Sequence, residues 1–141
     1  MTDYKFSIPI AVRYGDLDPQ WHVNNARYLT FLEQARLSYL KELGLFNGNH
    51  FLNFPLIVAD IHIRYLAPIM PDQPIHVWMR TEKIGNKSLE FSYEIRDDAT
   101  QQVLARAETI MVTYDYNQQK TVPVSTEWRA VISSFEGQDF L

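Results

Sequence analysis

From Tyr4 to Tyr14 apolar residues alternate, with Tyr4, Phe6, Ile8, Ile10 and Val12 on one face, and this spacing predicts a first strand half buried on that side. Gly15 to Asn24 interrupts the alternation. From about Asn25 to Leu43 the period becomes helical: at about 100° per residue Tyr28, Leu29, Leu32, Ala35, Tyr39, Leu40 and Leu43 share one arc, with Arg27, Thr30, Gln34, Ser38 and Lys41 opposite. Asn24 is the expected N-cap, and Gly44 supplies the residue that can close the helix in the left-handed conformation.

An Asn- and Gly-rich loop, Asn47 to Asn53, precedes further strand-like runs. Ile57, Ala59, Ile61, Ile63 and Tyr65 alternate with Asp60, His62 and Arg64; Ile75, Val77 and Met79 alternate with His76 and Arg80; Leu89, Phe91, Tyr93 and Ile95 alternate with Glu90, Ser92, Glu94 and Arg96. Gly85-Asn86-Lys87 reads as a hairpin, Asp97 to Gln102 as a polar turn before a long run from Val103 to Tyr116, and Val124 to Phe135 as a short terminal helix. Strands in sequence with short connections favour antiparallel pairing, so the expectation is an α+β chain of about five strands with one long amphipathic helix. Val58, Leu66, Trp78, Ile110, Val112, Tyr114 and Tyr116 fall out of phase with the cleaner stripes, which predicts a homo-oligomer, dimer or tetramer, in which a second copy covers an edge or face.

Composition narrows the chemistry. The 141 residues, 46% hydrophobic, suit a single domain spanning 1–141. The absence of cysteine removes a thiol nucleophile, a Cys-ligated zinc, an iron–sulfur cluster and a disulfide framework. A net charge of −4 argues against nucleic acid as the main partner. No signal-like leader and no apolar run of about 18 residues are present, so the expected location is cytoplasmic, without membrane insertion.

The segment Arg13 to Asn25 gathers two carboxylates, Asp16 and Asp18, with His22, Asn24 and Asn25 at the start of the longest helix. A helix N-terminus presents unpaired N–H groups and partial positive charge, suited to an oxyanion or polarised carbonyl, and a neighbouring carboxylate can serve as base or nucleophile. The same residue types also brace turns for purely local reasons, and spacing leaves both readings open.

Tyr14-Gly15-Asp16-Leu17-Asp18, His22-Val23-Asn24-Asn25, Tyr28-Leu29 and Glu33-Gln34-Ala35-Arg36 together resemble the signature of hotdog-fold acyl-CoA thioesterases of the 4-hydroxybenzoyl-CoA thioesterase type. The resemblance continues through Tyr65 to Pro68, Pro71-Asp72 and Gly85 to Ser88, covering most of residues 5 to 116. It implies an antiparallel sheet wrapped around one central helix, and active sites at a dimer interface. Residue by residue, it implies Asp18 as catalytic carboxylate, acting as base or as nucleophile, and the backbone N–H of Asn25 as the group that polarises the thioester carbonyl. His22 is then the residue that orients the carboxylate or the substrate, and Tyr28 and Trp21 line an acyl pocket. Trp21 stands where many members carry glycine, and the side chain at Asn25 varies within the family.

A glutamate on the central helix serves a different hotdog branch; here Glu33 has Arg36 three residues on and is expected to pair with it. The expected substrate is an acyl-CoA, with coenzyme A as part of the substrate and no separate cofactor. Its phosphates require a local basic patch, for which Lys87 and Ser88 at the hairpin are the leading candidates, ahead of Lys83, Arg64 and Arg106. His22, His50, His62 and His76 lack metal-ligand spacing, so no metal site is expected. The alternatives are a thioesterase acting on acyl-carrier protein, or a non-catalytic hotdog module that binds acyl thioesters.

Overall fold

A computed structural model describes residues 4–48 and 54–141. His50 and most of the Asn-rich loop around it lie outside the described residues. The elements in order are β1 (Phe6–Ile10), a 3-10 turn (Tyr14–Asp16), α1 (Arg27–Glu42), β2 (Leu56–Tyr65), β3 (Ile75–Ile84), β4 (Ser88–Asp97), β5 (Val103–Asp115), β6 (Lys120–Thr121) and α2 (Thr126–Glu136). The strands form an antiparallel sheet in the order β1-β3-β4-β5-β2, with β6 paired to β5. This is the expected α+β architecture plus β6, whose two residues are too short to carry a period. No helix among the described residues is long and apolar enough to cross a membrane.

α1 buries Tyr28, Phe31, Leu32, Ala35, Arg36, Tyr39 and Leu40 against the sheet. The facing strands contribute Ile75, Val77 and Met79 from β3 and Leu89, Phe91, Tyr93 and Ile95 from β4, all at most 1% exposed. The buried arc is rotated from the expected one: Phe31 and Arg36 are inside and Leu29 is 36% exposed, because the sheet lies to the Phe31 side of the Tyr28–Leu32 line.

The helix start also differs from the expected N-cap. Ala26 occupies the cap position without a side-chain bond, while the Asn24 side chain accepts from the Ala26 N–H at 2.9 Å in a turn of its own. The stop is as expected. Gly44 takes φ +74°, and the N–H groups of Gly44 and Leu45 return to the carbonyls of Lys41 and Leu40, which satisfies acceptors the last turn leaves open.

In β2 the pairing register slips between Val58 and Asp60. The bulge brings Leu56 and Val58 onto the face of Ile61, Ile63 and Tyr65, opposite the buried Thr113, Met111, Thr109, Ala107 and Ala105 of β5. Val58, out of phase in the sequence, is therefore in phase in the sheet. β2 is an edge strand and most of it is exposed or half-buried, Val58 at 44% and Tyr65 at 47%.

α2 closes one end of the sheet through a buried polar cluster. One Glu136 carboxylate oxygen accepts from the Tyr39 hydroxyl at 2.5 Å and from the Thr81 N–H at 3.0 Å, and the Tyr39 and Thr81 hydroxyls are 2.8 Å apart. Burial and the neighbouring Glu136 carboxylate push the Tyr39 phenol up, so it remains a donor across the ordinary pH range. Glu136→Ala strands the Thr81 N–H and the Tyr39 hydroxyl in the core, and the expected loss is about 3 kcal/mol in urea unfolding, against about 1 for Glu136→Gln, which keeps an acceptor. Equal losses for the two variants would show that packing, not acceptor capacity, is what Glu136 supplies.

Candidate active site

Residues 13–25 form a loop held by its own backbone and by the Asp16 and Asp18 side chains. The Asp16 side chain, 4% exposed, accepts from the Arg13 N–H at 2.9 Å and has the Arg13 and Arg27 guanidinium groups at 4.0 and 3.9 Å, while its carbonyl accepts from the Asn24 N–H at 2.8 Å. Asp16 thus braces the loop. Leu17 and Val23 pair as a short antiparallel bridge, and the Asp18 N–H donates to the His22 carbonyl at 3.0 Å while the Asp18 carbonyl accepts from the Trp21 N–H at 2.9 Å. The Val23 N–H donates to the Ile69 carbonyl at 2.8 Å, which fastens this turn to the chain leaving β2.

That closed turn places Asp18 beside the start of α1. One carboxylate oxygen accepts from the Gln20 N–H at 2.9 Å; the other lies 3.7 Å from His22 Nδ1, within charge range but beyond a direct hydrogen bond. The Asp18 side chain is 16% exposed and that of His22 32%. Both open on a cavity of about 350 Å³ whose walls also include Val23, Asn25, Tyr28 and Tyr65. Among the described residues the Asn25 N–H has no acceptor, whereas the Asn25 carbonyl accepts from the Tyr65 hydroxyl at 3.1 Å. The buried Tyr28 ring meets the edge of Tyr65 at 4.8 Å, and burial pushes its phenol up.

Asp18, His22, Asn25 and Tyr28, scattered over eleven residues of sequence, therefore share one cavity. Trp21 is not on its wall. It lies in a separate groove of about 150 Å³ with Tyr14, Leu17 and Pro71, its indole 6.2 Å from the Tyr14 ring. Its φ of +67° is a left-handed conformation that suits glycine and costs a side-chain-bearing residue about 1 kcal/mol.

Lys87 and Ser88 are not brought to this cavity within one chain. Ser88 pairs with Val112 at one end of the sheet, whereas Tyr65 pairs with Ala105, and Ala105 with Ile95, at the other. The seven-residue step from Ser88 to Ile95 along β4 corresponds to about 23 Å. The hairpin itself is well anchored: Arg129 of α2 donates to the Gly85 carbonyl at 2.5 Å, and the Val124 N–H to the Asn86 carbonyl at 2.8 Å.

The expected Glu33–Arg36 pair is also absent. Glu33 is exposed while Arg36 turns inward and donates to the Tyr93 hydroxyl at 3.3 Å. Tyr65 and the Leu66 to Pro68 segment are the site elements that residue-level reasoning did not single out, although the family resemblance includes them. Among the described residues no group of three or more His, Asp or Glu is placed to hold a metal ion; His62 and His76 face Glu108 and Asp98 on the outer side of the sheet.

A family model for the thioesterase-like superfamily matches residues 12–132. The chain belongs to this superfamily. It is 33% identical over 120 residues to the long-chain acyl-CoA thioesterase FadM of Escherichia coli, covering 85% of this chain and 91% of that one. A match at 28% identity to the uncharacterized protein YsmA of Bacillus subtilis covers 65% of this chain and spans 61% of that protein's length. Among solved structures, a thioesterase from Thermus thermophilus complexed with coenzyme A and Zn superimposes with a TM-score of 0.85 at 26% identity, over 98% of both chains. The hotdog thioesterase fold expected from the sequence is thus shown, while the 4-hydroxybenzoyl-CoA type is not singled out.

Proposed function

We propose that the chain, as one domain over 1–141, hydrolyses acyl-CoA thioesters to a free acid and coenzyme A. The observation that carries the reading is the pairing, in one cavity of a thioesterase-superfamily chain, of the Asp18 carboxylate with the Asn25 N–H, which has no acceptor among the described residues. A thioester carbonyl seated between them has its oxygen on Asn25 N–H and its carbon open to Asp18. Either Asp18 takes a proton from a water that adds to the carbon, or its free oxygen adds directly to give an anhydride that water opens. In both routes negative charge gathers on the carbonyl oxygen, where the N–H and the start of α1 stabilise it. In the first route the C–S bond then breaks and Asp18 passes its proton to the departing sulfur; in the second the thiolate leaves as the anhydride forms and takes up the proton released when water opens it.

His22, near the second Asp18 oxygen, orients that carboxylate, and Tyr28 forms the wall on which the acyl group rests. The nucleotide end of coenzyme A falls to Lys87 and Ser88 of a second copy. A two-fold axis beside the open edge of β2 reverses strand direction and carries a partner's hairpin toward this cavity, which supports a homodimer or a tetramer built from it. The reading places the protein in the cytoplasm with its CoA-linked substrate.

The test is thiol release from acyl-CoAs of short, long and aromatic acyl groups, with carrier-protein thioesters at matched concentration. Turnover of at least one CoA thioester in preference to its carrier-bound form is expected. Binding without release from any of them would replace the hydrolase with a non-catalytic module, and preference for the carrier would replace the substrate.

A further inference from the structure

Beyond the reaction cavity, a second cavity of about 400 Å³ lies against the later turns of α1, walled by Glu33, Arg36, Leu37, Lys41, Phe46 and Phe54. Arg36 is its unusual member. It is 3% exposed, its hydrogen bond is to a neutral phenol, Tyr93, at 3.3 Å, and among the described residues no carboxylate lies in ion-pair range of it. The Tyr93 hydroxyl also contacts the Thr109 hydroxyl at 2.8 Å. A guanidinium has five N–H donors and stays charged at any ordinary pH; among the described residues Trp78 Nε1, and no Arg36 nitrogen, is the buried side-chain polar atom without a partner, so the remaining Arg36 donors are open to the cavity. A charge that faces a cavity with no carboxylate beside it favours an anion that supplies one.

The rest of the cavity indicates what that is. Phe46 and Phe54 meet edge to face, ring centres 5.2 Å apart, and with Leu37 they offer an apolar wall. Arg36 and Lys41 against Glu33 leave one net positive charge, which matches a monoanion and not a phosphate dianion. We propose that this cavity is a carboxylate-binding site, in which Arg36 holds the carboxylate and the phenyl rings of Phe46 and Phe54 cover an apolar body.

Two sources of that carboxylate are chemically alike. One is a free organic acid, and this source does not depend on the hydrolase reading. The other is the far end of an acyl group whose thioester carbonyl sits at Asn25, and this source rests on that reading. Asn25 stands just before the helix cap Ala26, and Arg36 lies two and a half turns into α1, about 14 Å along its axis from Arg27. Leu29 and Leu32 lie between them.

The experiment is calorimetric titration of the full chain with octanoate and with its neutral counterpart octanamide. It is paired with KM values for tetradecanoyl-CoA and for the same acyl-CoA bearing a terminal carboxylate. If the source is a free acid, octanoate binds about tenfold more tightly than octanamide. That preference disappears in Arg36→Gln and weakens about threefold in Lys41→Ala, an exposed position that leaves the fold intact. If the source is the acyl tail, the octanoate preference is absent but the terminal carboxylate lowers KM about tenfold, with the same dependence on Arg36 and Lys41. No advantage of the carboxylate in either arm overturns the proposal, as does an octanoate preference that survives both substitutions. Should Arg36→Gln melt out, an unchanged preference in Lys41→Ala alone overturns it. An inactive enzyme that still prefers octanoate would separate failure of the hydrolase reading from failure of this one.

Discussion

Asp18→Asn lowers kcat for acyl-CoA hydrolysis by about a thousandfold, the range expected when a general base or nucleophile is lost, and leaves the fold in place. The substitution is nearly isosteric. The Gln20 N–H still finds a side-chain oxygen, and the turn from Asp18 to His22 is closed by main-chain bonds that no side chain supplies. What disappears is a carboxylate oxygen able to take a proton from water or to add to carbon. Thiol release under saturating substrate measures the loss, and circular dichroism with a thermal melt confirms the fold. Residual turnover within about tenfold of the parent would exclude Asp18 from both roles.

The second large effect separates a backbone role from a side-chain role at one position. Asn25→Pro removes an N–H that has no acceptor among the described residues, and Asn25 is the second residue of the turn closed by the Arg27 N–H on the Asn24 carbonyl, a position that favours proline. Loss of one oxyanion donor predicts a fall in kcat of about 10²- to 10³-fold. Asn25→Ala keeps the N–H and is expected to stay within about threefold of the parent. Steady-state kinetics on both variants, with melting curves, decide the matter. Equal losses would assign the effect to the amide side chain, and an active proline variant would show that the carbonyl is polarised elsewhere.

The elements were legible in the sequence where a period ran long enough. α1 and β3 to β5 each repeat their apolar spacing over two turns or more, and each appears where the pattern places it. The pattern fails at points where one residue resets the phase. The bulge after Val58 reverses the face of β2, and Asn24 folds into its own turn instead of capping the helix. At the site, the cluster from Asp18 to Tyr28 was readable because its residues lie within one short stretch of sequence. Tyr65 was not, since its hydroxyl reaches Asn25 only after β2 crosses the sheet. The separation of Lys87 from Asp18 is equally invisible in the sequence, because it depends on which sheet end each strand presents. Arg36 reads in the sequence as the partner of Glu33, and only the rotated helix shows it inside and bonded to Tyr93 instead.

The turn around Asp18 also has a stereochemical side. The Gln20 N–H occupies one carboxylate oxygen, so the oxygen facing His22 is the one left to act. On the proposed mechanism, a planar thioester fixed by its carbonyl oxygen on Asn25 meets that single oxygen, or the water it directs, from one face only. Hydrolysis of a straight-chain acyl group erases this choice in an achiral product. An acyl group with a stereocentre beside the carbonyl does not, because its two enantiomers must turn different substituents toward Tyr28 and Tyr65 to offer the same face. If that mechanism operates, a racemic α-branched acyl-CoA is expected to be hydrolysed with one enantiomer preferred, which the enantiomeric excess of the released acid measures.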